Sequence, residues 1–420
     1  MTTPKRIRGR AARGFTLIEL VVALSAGLLV SMAALMLSRN ATKFFQNEAR
    51  ISATQLAVTL GMNRLTQDLQ RVSFLSTRNN TTDSTLCTDG TLPPTLAGLL
   101  GLRIRLGGSV ATHPTDLVQA VDPQNGMNPD HAVIGGSMDT SERFAIAWTF
   151  AGAGGQRTVD LQLDGAVARL RQTALQNGQT LGQILAPIFK TGRFLRFMDD
   201  GRGQGTVWGI IDGFSVNGAV GAETIRITLN NTPTIPVKTQ TTTCGLSTGS
   251  NRGIFVSVVS RVLYDLRSLK NDPAYGTLVA ADPTTQALTG EALRTELVRV
   301  ELAPDDTEVP GSLELVAELA ANLQFGITRA PIAGSPTAFN PQMTTYGFGD
   351  PLVMSSPELV RSVQVKLSTR ARIPDRENAL GASGRNYRFA VLQPPIRERF
   401  TRLRTLHATV ALPNQADFSP

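Results

Sequence analysis

Few residues of this chain have the types and spacing that chemistry requires. The three histidines, His113, His131 and His407, form no H-x-x-x-H pair and none lies near a cysteine, so no zinc site is predicted. No G-x-S-x-G or P-loop sequence occurs, which argues against a hydrolase or a motor ATPase. The acidic run 305–308 lacks the D-x-D-x-D-G spacing of a calcium loop, and a solvated acidic turn explains it better. We expect no catalytic residue, no metal and no cofactor.

Cys87 and Cys244 are the only cysteines, and they are too far apart for a C-x-x-C redox or zinc pair. If this part of the chain is exported, both lie in an oxidising compartment, where one disulfide is favoured. Closing so long a loop would stabilise the fold by roughly 4–5 kcal/mol in the chain-entropy treatment. Two unrelated reduced thiols are the alternative.

Positive charge is concentrated in residues 361–404, which hold 11 Lys or Arg against three acids, with Tyr387, Phe389 and Phe400 interspersed. One interpretation is an electropositive face for DNA, an acidic polysaccharide or an acidic partner. Outward cations on a β-sheet are the simpler explanation. The residues that would form such a face are Arg370, Arg372, Arg376, Arg385, Arg388, Arg397, Arg399, Arg402 and Arg404.

A single carboxylate, Glu19, interrupts the most apolar stretch of the chain, which runs from Phe15 to Leu37. As a helix this stretch would span roughly 35 Å, enough to cross a hydrocarbon core of about 30 Å. A carboxylate there costs on the order of 2.5–3.5 kcal/mol. No Lys, Arg or His lies between Arg13 and Arg39 to pair with it. Glu19 therefore takes a partner from elsewhere, or it snorkels to the nearby interface as in an ordinary signal anchor.

Basic residues precede the apolar stretch and set its direction. Five cations and no acid lie in residues 1–14, so the N-terminus is expected to stay cytoplasmic while the bulk is exported to the periplasm. The formal net charge of +8 falls to about +3 without these five cations. The high charge is therefore mostly a targeting signal and not evidence for nucleic acid.

The residues Gly14-Phe15-Thr16-Leu17-Ile18-Glu19 closely resemble the prepilin signature of type IV pilins and type II secretion pseudopilins. The resemblance implies that a prepilin peptidase cuts between Gly14 and Phe15 and methylates the new N-terminus at Phe15. It also implies an assembly role for Glu19, which would neutralise the α-amino group of Phe15 on a neighbouring subunit.

Apolar residues at heptad spacing predict that the helix continues beyond the membrane. They form one seam on an amphipathic helix that should end near Ser76, before a polar, turn-rich run. Periodicity alone also fits a coiled-coil dimer, whereas the pilin resemblance implies that the seam packs against a globular sheet. The seam consists of Phe44, Ile51, Val58, Leu65 and Val72, with Met62 and Leu69 in a second row.

After the helix, alternating apolar residues predict strands separated by glycine-rich turns. A short helix is expected within residues 166–190, and a short helix or turn entering a strand within 313–325. Strands are expected in residues 144–150, 159–163, 225–229, 255–266, 358–370 and 402–412.

Three C-terminal segments resemble PilW-like minor pilins: Leu315-Val316 with Leu323-Gln324-Phe325, Val360-Arg361 through Leu367, and Thr409-Val410-Ala411-Leu412. The resemblance implies an α+β type IV pilin fold, with a long N-terminal helix packed on an antiparallel sheet and an enlarged β-rich exported region. The expected divisions are a cleaved leader 1–14, a transmembrane half-helix 15–37, an amphipathic half-helix 38–76, a β-rich insertion 77–250 and a pilin-like region 251–420.

The resemblance implies a structural minor pilin that primes assembly of a type IV pilus and lies at or near its tip. Its partners would be other minor pilins, the major pilin, the prepilin peptidase and a tip adhesin. It would reside in the inner membrane before assembly and on the cell surface afterwards. The alternatives are a J-like minor pseudopilin of type II secretion, and a DNA- or polysaccharide-binding pilin that uses residues 361–404.

Overall fold

The computed structural model falls into two compact units, Met1–Ala53 and Thr54–Pro420. The predicted boundary at residue 250 does not separate compact units. The residues that the structure describes are 16–87, 92–107, 122, 125–151, 157–199, 205–238, 244–250, 253–269, 272–279, 294–331, 343–348, 350, 356–374, 386–389 and 399–415.

One long helix and a set of antiparallel strands make up the fold, which gives an α+β layout. The helices are α1 Leu17–Gln70, α2 Pro94–Ala97, α3 Gly165–Gln176, α4 Leu181–Leu185 and α5 Gly276–Val279. The strands are β1 Leu102–Arg105, β2 His131–Gly136, β3 Phe144–Ala151, β4 Arg157–Leu161, β5 Phe194–Asp199, β6 Val207–Asn217, β7 Thr224–Leu229, β8 Gly249–Ser250, β9 Ile254–Arg267, β10 Glu296–Leu302, β11 Glu314–Ala317, β12 Ala320–Arg329, β13 Thr344–Tyr346, β14 Val360–Thr369, β15 Asn386–Arg388, β16 Phe400–Arg402 and β17 Arg404–Ala411.

Helix α1 ends at Gln70, six residues before the predicted end at Ser76. The chain then tightens into turns, with Val72 N–H donating to the Leu69 carbonyl. Ser73 and Leu75 follow with φ values of 58° and 52°, in the left-handed region that a right-handed helix cannot contain. The apolar periodicity continues to Val72, which is fully buried although it lies beyond the last helical residue. The periodicity therefore does not mark the true end of the helix.

The apolar seam of α1 packs against sheet in the second unit. Its side chains from Val58 onward are buried in one core with residues of β1, β2, β9, β10, β12 and β14. Gly61 permits close approach, because a Cβ there would lie 2.8 Å from the Ala317 Cβ. The buried seam residues are Val58, Met62, Leu65, Leu69 and Val72, whereas Phe44 and Ile51 are exposed in the first unit.

Strand β9 joins two parts of the fold. Its first half, from Ile254 to Val259, pairs with β5 and also with β3, which closes the strands β9-β5-β6-β7-β4-β3 into a barrel. Its second half pairs with β2 and β10 in the sheet that covers α1. The predicted insertion 77–250 and region 251–420 therefore share one sheet, which local patterning could not show.

Side chains fill the barrel, as is usual for a small closed barrel. They form a second apolar core that includes Phe144, Ile146, Ile225 and Ile227. Helices α3 and α4 contribute to this core, and they confirm the short helix expected within residues 166–190.

The C-terminal strands form a separate four-stranded sheet in the order β13-β12-β14-β17. Val363, Val365 and Leu367 share its buried face, as the alternation predicts. Residues 313–325 were predicted to form a short helix or a turn that enters a strand; the turn and the strand are confirmed, and no helix forms in this segment. That segment is strand β11, a turn in which Leu319 has φ 54°, and strand β12.

Candidate assembly site at the helix N-terminus

The N-terminus of α1 is closed by a reciprocal pair of hydrogen bonds between Thr16 and Glu19. The Glu19 N–H donates to Thr16 Oγ1 at 3.2 Å, and the Thr16 N–H donates to Glu19 Oε2 at 2.9 Å. The Thr16 hydroxyl also donates to Glu19 Oε2 at 3.0 Å. This is a capping box, which satisfies backbone donors that the first turn of a helix leaves unpaired.

The capping box changes how Glu19 is understood. A T-x-x-E pattern was visible in the sequence, and it gives the carboxylate hydrogen-bond donors within its own chain. Glu19 Oε2 accepts two of the three bonds, and the Glu19 backbone N–H donates the third. Oε1 accepts no hydrogen bond from the described residues. One carboxylate oxygen therefore orders the helix start while the other stays available for a further donor. Gly14 and Phe15, the predicted cleavage site and methylated terminus, lie outside the described residues.

The helix that carries Glu19 presents apolar side chains on all sides within the first unit. Every residue from Leu17 to Leu37 is exposed. In the part of the chain that the structure describes, α1 is the one helix long and apolar enough to cross a membrane. A helix that is apolar all round is typical of a membrane span.

Cys87 and Cys244 are joined by a disulfide, with their Cα atoms 5.5 Å apart. The bond links the loop that follows α1 to the loop before β8 across 157 residues of sequence. Cys87 is buried in the barrel core, and its N–H donates to the Thr206 carbonyl at 2.8 Å. The pair therefore fixes this loop to the barrel.

The proposed basic face is not supported by the position of Arg370, which is 1% exposed. Its guanidinium carbon lies 4.6 Å from the ring centroid of Tyr387 and 5.2 Å from that of Phe389. Both aromatic residues are buried too, so they cannot stack on nucleic-acid bases. Of the remaining candidates, Arg372, Arg399 and Arg402 are exposed and Arg388 and Arg404 are half-buried, while Arg376, Arg385 and Arg397 lie outside the described residues.

The acidic side chains in residues 305–308 are bonded to other groups of the protein. Asp306 pairs with the buried Arg261 at 2.5 Å, and Glu308 pairs with Arg267 at 2.8 Å. Asp305 accepts hydrogen bonds from the N–H and hydroxyl of Thr307. Among the described residues, no group of three His, Cys, Asp or Glu side chains is arranged to hold a metal.

A polar cluster beneath α1 was not predicted from the sequence. Asp68, 2% exposed, accepts hydrogen bonds on Oδ2 from Arg299 Nε at 2.7 Å and from the Tyr264 hydroxyl at 2.8 Å. Burial, followed by the Asp68 charge, raises the pKa of Tyr264, which stays protonated and keeps donating. Arg64 and Glu314 extend the cluster, at 3.2 Å from each other. Helical periodicity does not reveal such a cluster, because its partners lie more than 190 residues away.

Residues 9–35 match the family described as the Prokaryotic N-terminal methylation motif. No curated protein and no solved structure matched the chain. The motif indicates a member of the type IV pilin and pseudopilin family. With the apolar helix α1, the motif fits single-pass anchoring in the inner membrane.

Proposed function

We propose that the protein is a PilW-like minor pilin that primes type IV pilus assembly together with other minor pilins. The observation that carries the proposal is Glu19, which lies within a prepilin-type motif on an exposed apolar helix and whose Oε1 accepts no hydrogen bond from the described residues. A carboxylate in that setting needs a cation once the helix leaves water. The α-amino group of a neighbouring subunit's Phe15 supplies one when helices pack together.

The exported part of the chain supports a place at or near the pilus tip. Its described residues form a closed barrel in addition to the strands that cover α1, which include β12 and β14 of the four-stranded sheet. So large a head is hard to repeat along a thin filament, whereas a single copy at the end meets no such restriction. The basic segment gives no comparable support for a DNA-binding pilin, because Arg370, Tyr387 and Phe389 are buried.

Processing is the first test of this proposal. Mass spectrometry of the protein recovered from pili should find an N-terminus at N-methyl-Phe15. Gly14→Glu should leave a precursor that retains its 14-residue leader, whereas Gly9→Glu, the same change elsewhere in the leader, should be processed normally. An intact Met1 terminus on protein from pili would contradict the proposal.

Deletion and labelling test the priming role and the position. Cells that lack the gene should carry fewer pili, and the wild-type gene should restore them. An epitope inserted at Val220, which is 78% exposed in the turn between β6 and β7, should place gold label at one end of each pilus. Label along the whole filament would exclude the tip position.

A further inference from the structure

The outer face of the barrel carries two adjacent exposed aromatic rings. Trp148 is 44% exposed and Phe150 is 37% exposed, and their ring centroids lie 6.1 Å apart on β3. Single exposed apolar residues are ordinary on protein surfaces. Two neighbouring exposed rings leave apolar surface in contact with water, which is unfavourable. Such surface is often part of a binding site, where a ligand would cover it.

A β-bulge is the cause of this exposure. Phe144 and Ile146 point into the barrel and are fully buried. The register with β4 then shifts between Ile146 and Trp148, so that Thr149 is buried in their place and donates its hydroxyl to the Ser247 carbonyl at 2.5 Å. Bulges re-aim side chains in this way, often beside functional sites. The alternation from Phe144 to Phe150 had suggested one apolar face, and the bulge divides it.

Polar partners accompany the rings across the sheet. Arg226 makes a bidentate ion pair with Asp160, in which both N–O distances are 2.8 Å. Its guanidinium carbon also lies 4.9 Å from the Phe150 ring centroid. The pair is therefore held rigidly beside the aromatic rings.

The strand register places these residues in two rows on one face. The first row runs Ser250, Trp148, Asp160, Arg226 and Ser215 across β8, β3, β4, β7 and β6. The second runs Phe150, Thr158, Thr228 and Gly213. In each row, aromatic surface lies next to hydrogen-bonding groups.

We propose that this face binds a neutral glycan. Aromatic rings offer flat apolar surface to the C–H face of a pyranose, and the flanking hydroxyl, carboxylate and guanidinium groups can hydrogen-bond its hydroxyls. Among the described residues of the two rows, the one cation, Arg226, is compensated by Asp160, so these rows have no excess charge to attract an acidic sugar. This charge balance favours a neutral glycan over a sialylated or sulfated one. The inference does not rest on the proposed function.

Tryptophan fluorescence provides the first test. The chain has two tryptophans, and Trp208 is 2% exposed, so quenching by acrylamide reports mainly on Trp148. The full-length protein is studied in lauryldimethylamine oxide, a detergent that contains no sugar. The probes are neutral oligosaccharides of β-linked galactose or glucose, together with their sialylated and sulfated counterparts. Neutral members are expected to protect Trp148 from quenching in a saturable manner.

Variants then locate the binding surface, using the same glycans immobilised on a sensor. Trp148→Ala and Phe150→Ala should each weaken binding by about tenfold, the equivalent of one lost ring contact of about 1.4 kcal/mol. Trp148→Phe should retain most of the affinity. Leu175→Ala, which removes an apolar side chain from α3 that is 55% exposed, should have no effect.

Four results would overturn the proposal. The first is the absence of protection by every neutral glycan in the panel, and the second is glycan binding that Trp148→Ala leaves unchanged. The third is binding of acidic glycans only. The fourth is protection of Trp148 when the protein concentration is raised but not when glycans are added, which would make this face a contact between copies of the chain.

Discussion

The carboxylate of Asp68 and the guanidinium of Arg299 meet at 2.7 Å beneath helix α1 and tie the helix to strand β10. Tyr264 of β9 is the registered neighbour of Arg299 and donates to the same carboxylate oxygen. An apolar seam tolerates sliding by a turn, whereas a buried charge must keep its partners. We infer that this cluster sets the register of α1 on the sheet.

Asp68→Ala should therefore be strongly destabilising. It leaves the Tyr264 hydroxyl without its acceptor and Arg299 with only its longer contact to Glu314 at 3.4 Å, at a cost of roughly 3–5 kcal/mol. The free energy of unfolding is obtained from urea denaturation, with Glu48→Ala at an exposed position of α1 as a control that should change little. A loss below about 1 kcal/mol, the range of surface pairs, would show that the cluster does not hold the helix.

The close approach at Gly61 predicts a second loss of stability. Gly61→Ala gains about 1 kcal/mol of helix propensity, but its Cβ would lie 2.8 Å from Ala317 and 3.1 Å from Leu367. Overpacking of this kind costs about 1–3 kcal/mol, so the variant should be less stable than wild type. Gly182→Ala in α4 is the matched control, since its nearest neighbour is at 3.7 Å, and it should not be destabilised. Equal effects of the two changes would contradict the packing described.

Asp265 predicts a pH dependence of stability. Burial raises the pKa of this carboxyl to about 6, against the favourable influence of Arg267. Because the folded-state pKa exceeds that of the unfolded chain, the folded state binds the proton more tightly, and this contribution is lost as pH rises through about 6. Wild type should lose about 1 kcal/mol more than Asp265→Asn between pH 5 and pH 7 in urea denaturation. Parallel pH profiles would show that Asp265 does not titrate in this range.

Removal of the disulfide should loosen the barrel. The Cys87→Ser, Cys244→Ser double variant frees a loop of 157 residues and should lose up to roughly 4–5 kcal/mol of unfolding free energy. In non-reducing electrophoresis, wild type should run as a compact form that reductant retards. Labelling of both thiols in unfolded, unreduced protein would contradict the pairing.

Local patterns could predict helix α1 with its apolar seam, strand β14 and helix α3. Each of these elements is indicated by the spacing of apolar residues that are close in sequence. They could not predict that β9 serves both the barrel and the sheet that covers α1, since that depends on pairings distant in sequence. Arg370 illustrates the same limit. Its charge suggested an exposed position, but Tyr387 and Phe389 enclose it. The T-x-x-E pattern of the Thr16–Glu19 capping box is present in the sequence, and the hydrogen bonds it predicts are found in the structure.

The capping box makes it possible to separate two roles of Glu19. Glu19→Gln keeps an acceptor for the Thr16 N–H but removes the charge, whereas Thr16→Val removes the hydroxyl and keeps the charge. Removing the charge should ease membrane insertion, by roughly 2.5–3.5 kcal/mol in Glu19→Ala and by less in Glu19→Gln, which keeps a polar amide, so both proteins should accumulate and be processed. Poor piliation in either variant would then reflect assembly and not export.

The most direct test is the number of pili per cell in a strain without paralogous minor pilins that carries only Glu19→Gln. We predict few pili and loss of co-purifying minor pilins, as in Glu19→Ala, while Thr16→Val cells stay close to wild type. Full piliation of Glu19→Gln cells, with unchanged co-purification, would contradict the account, because the charge of Glu19 would then have no part in assembly.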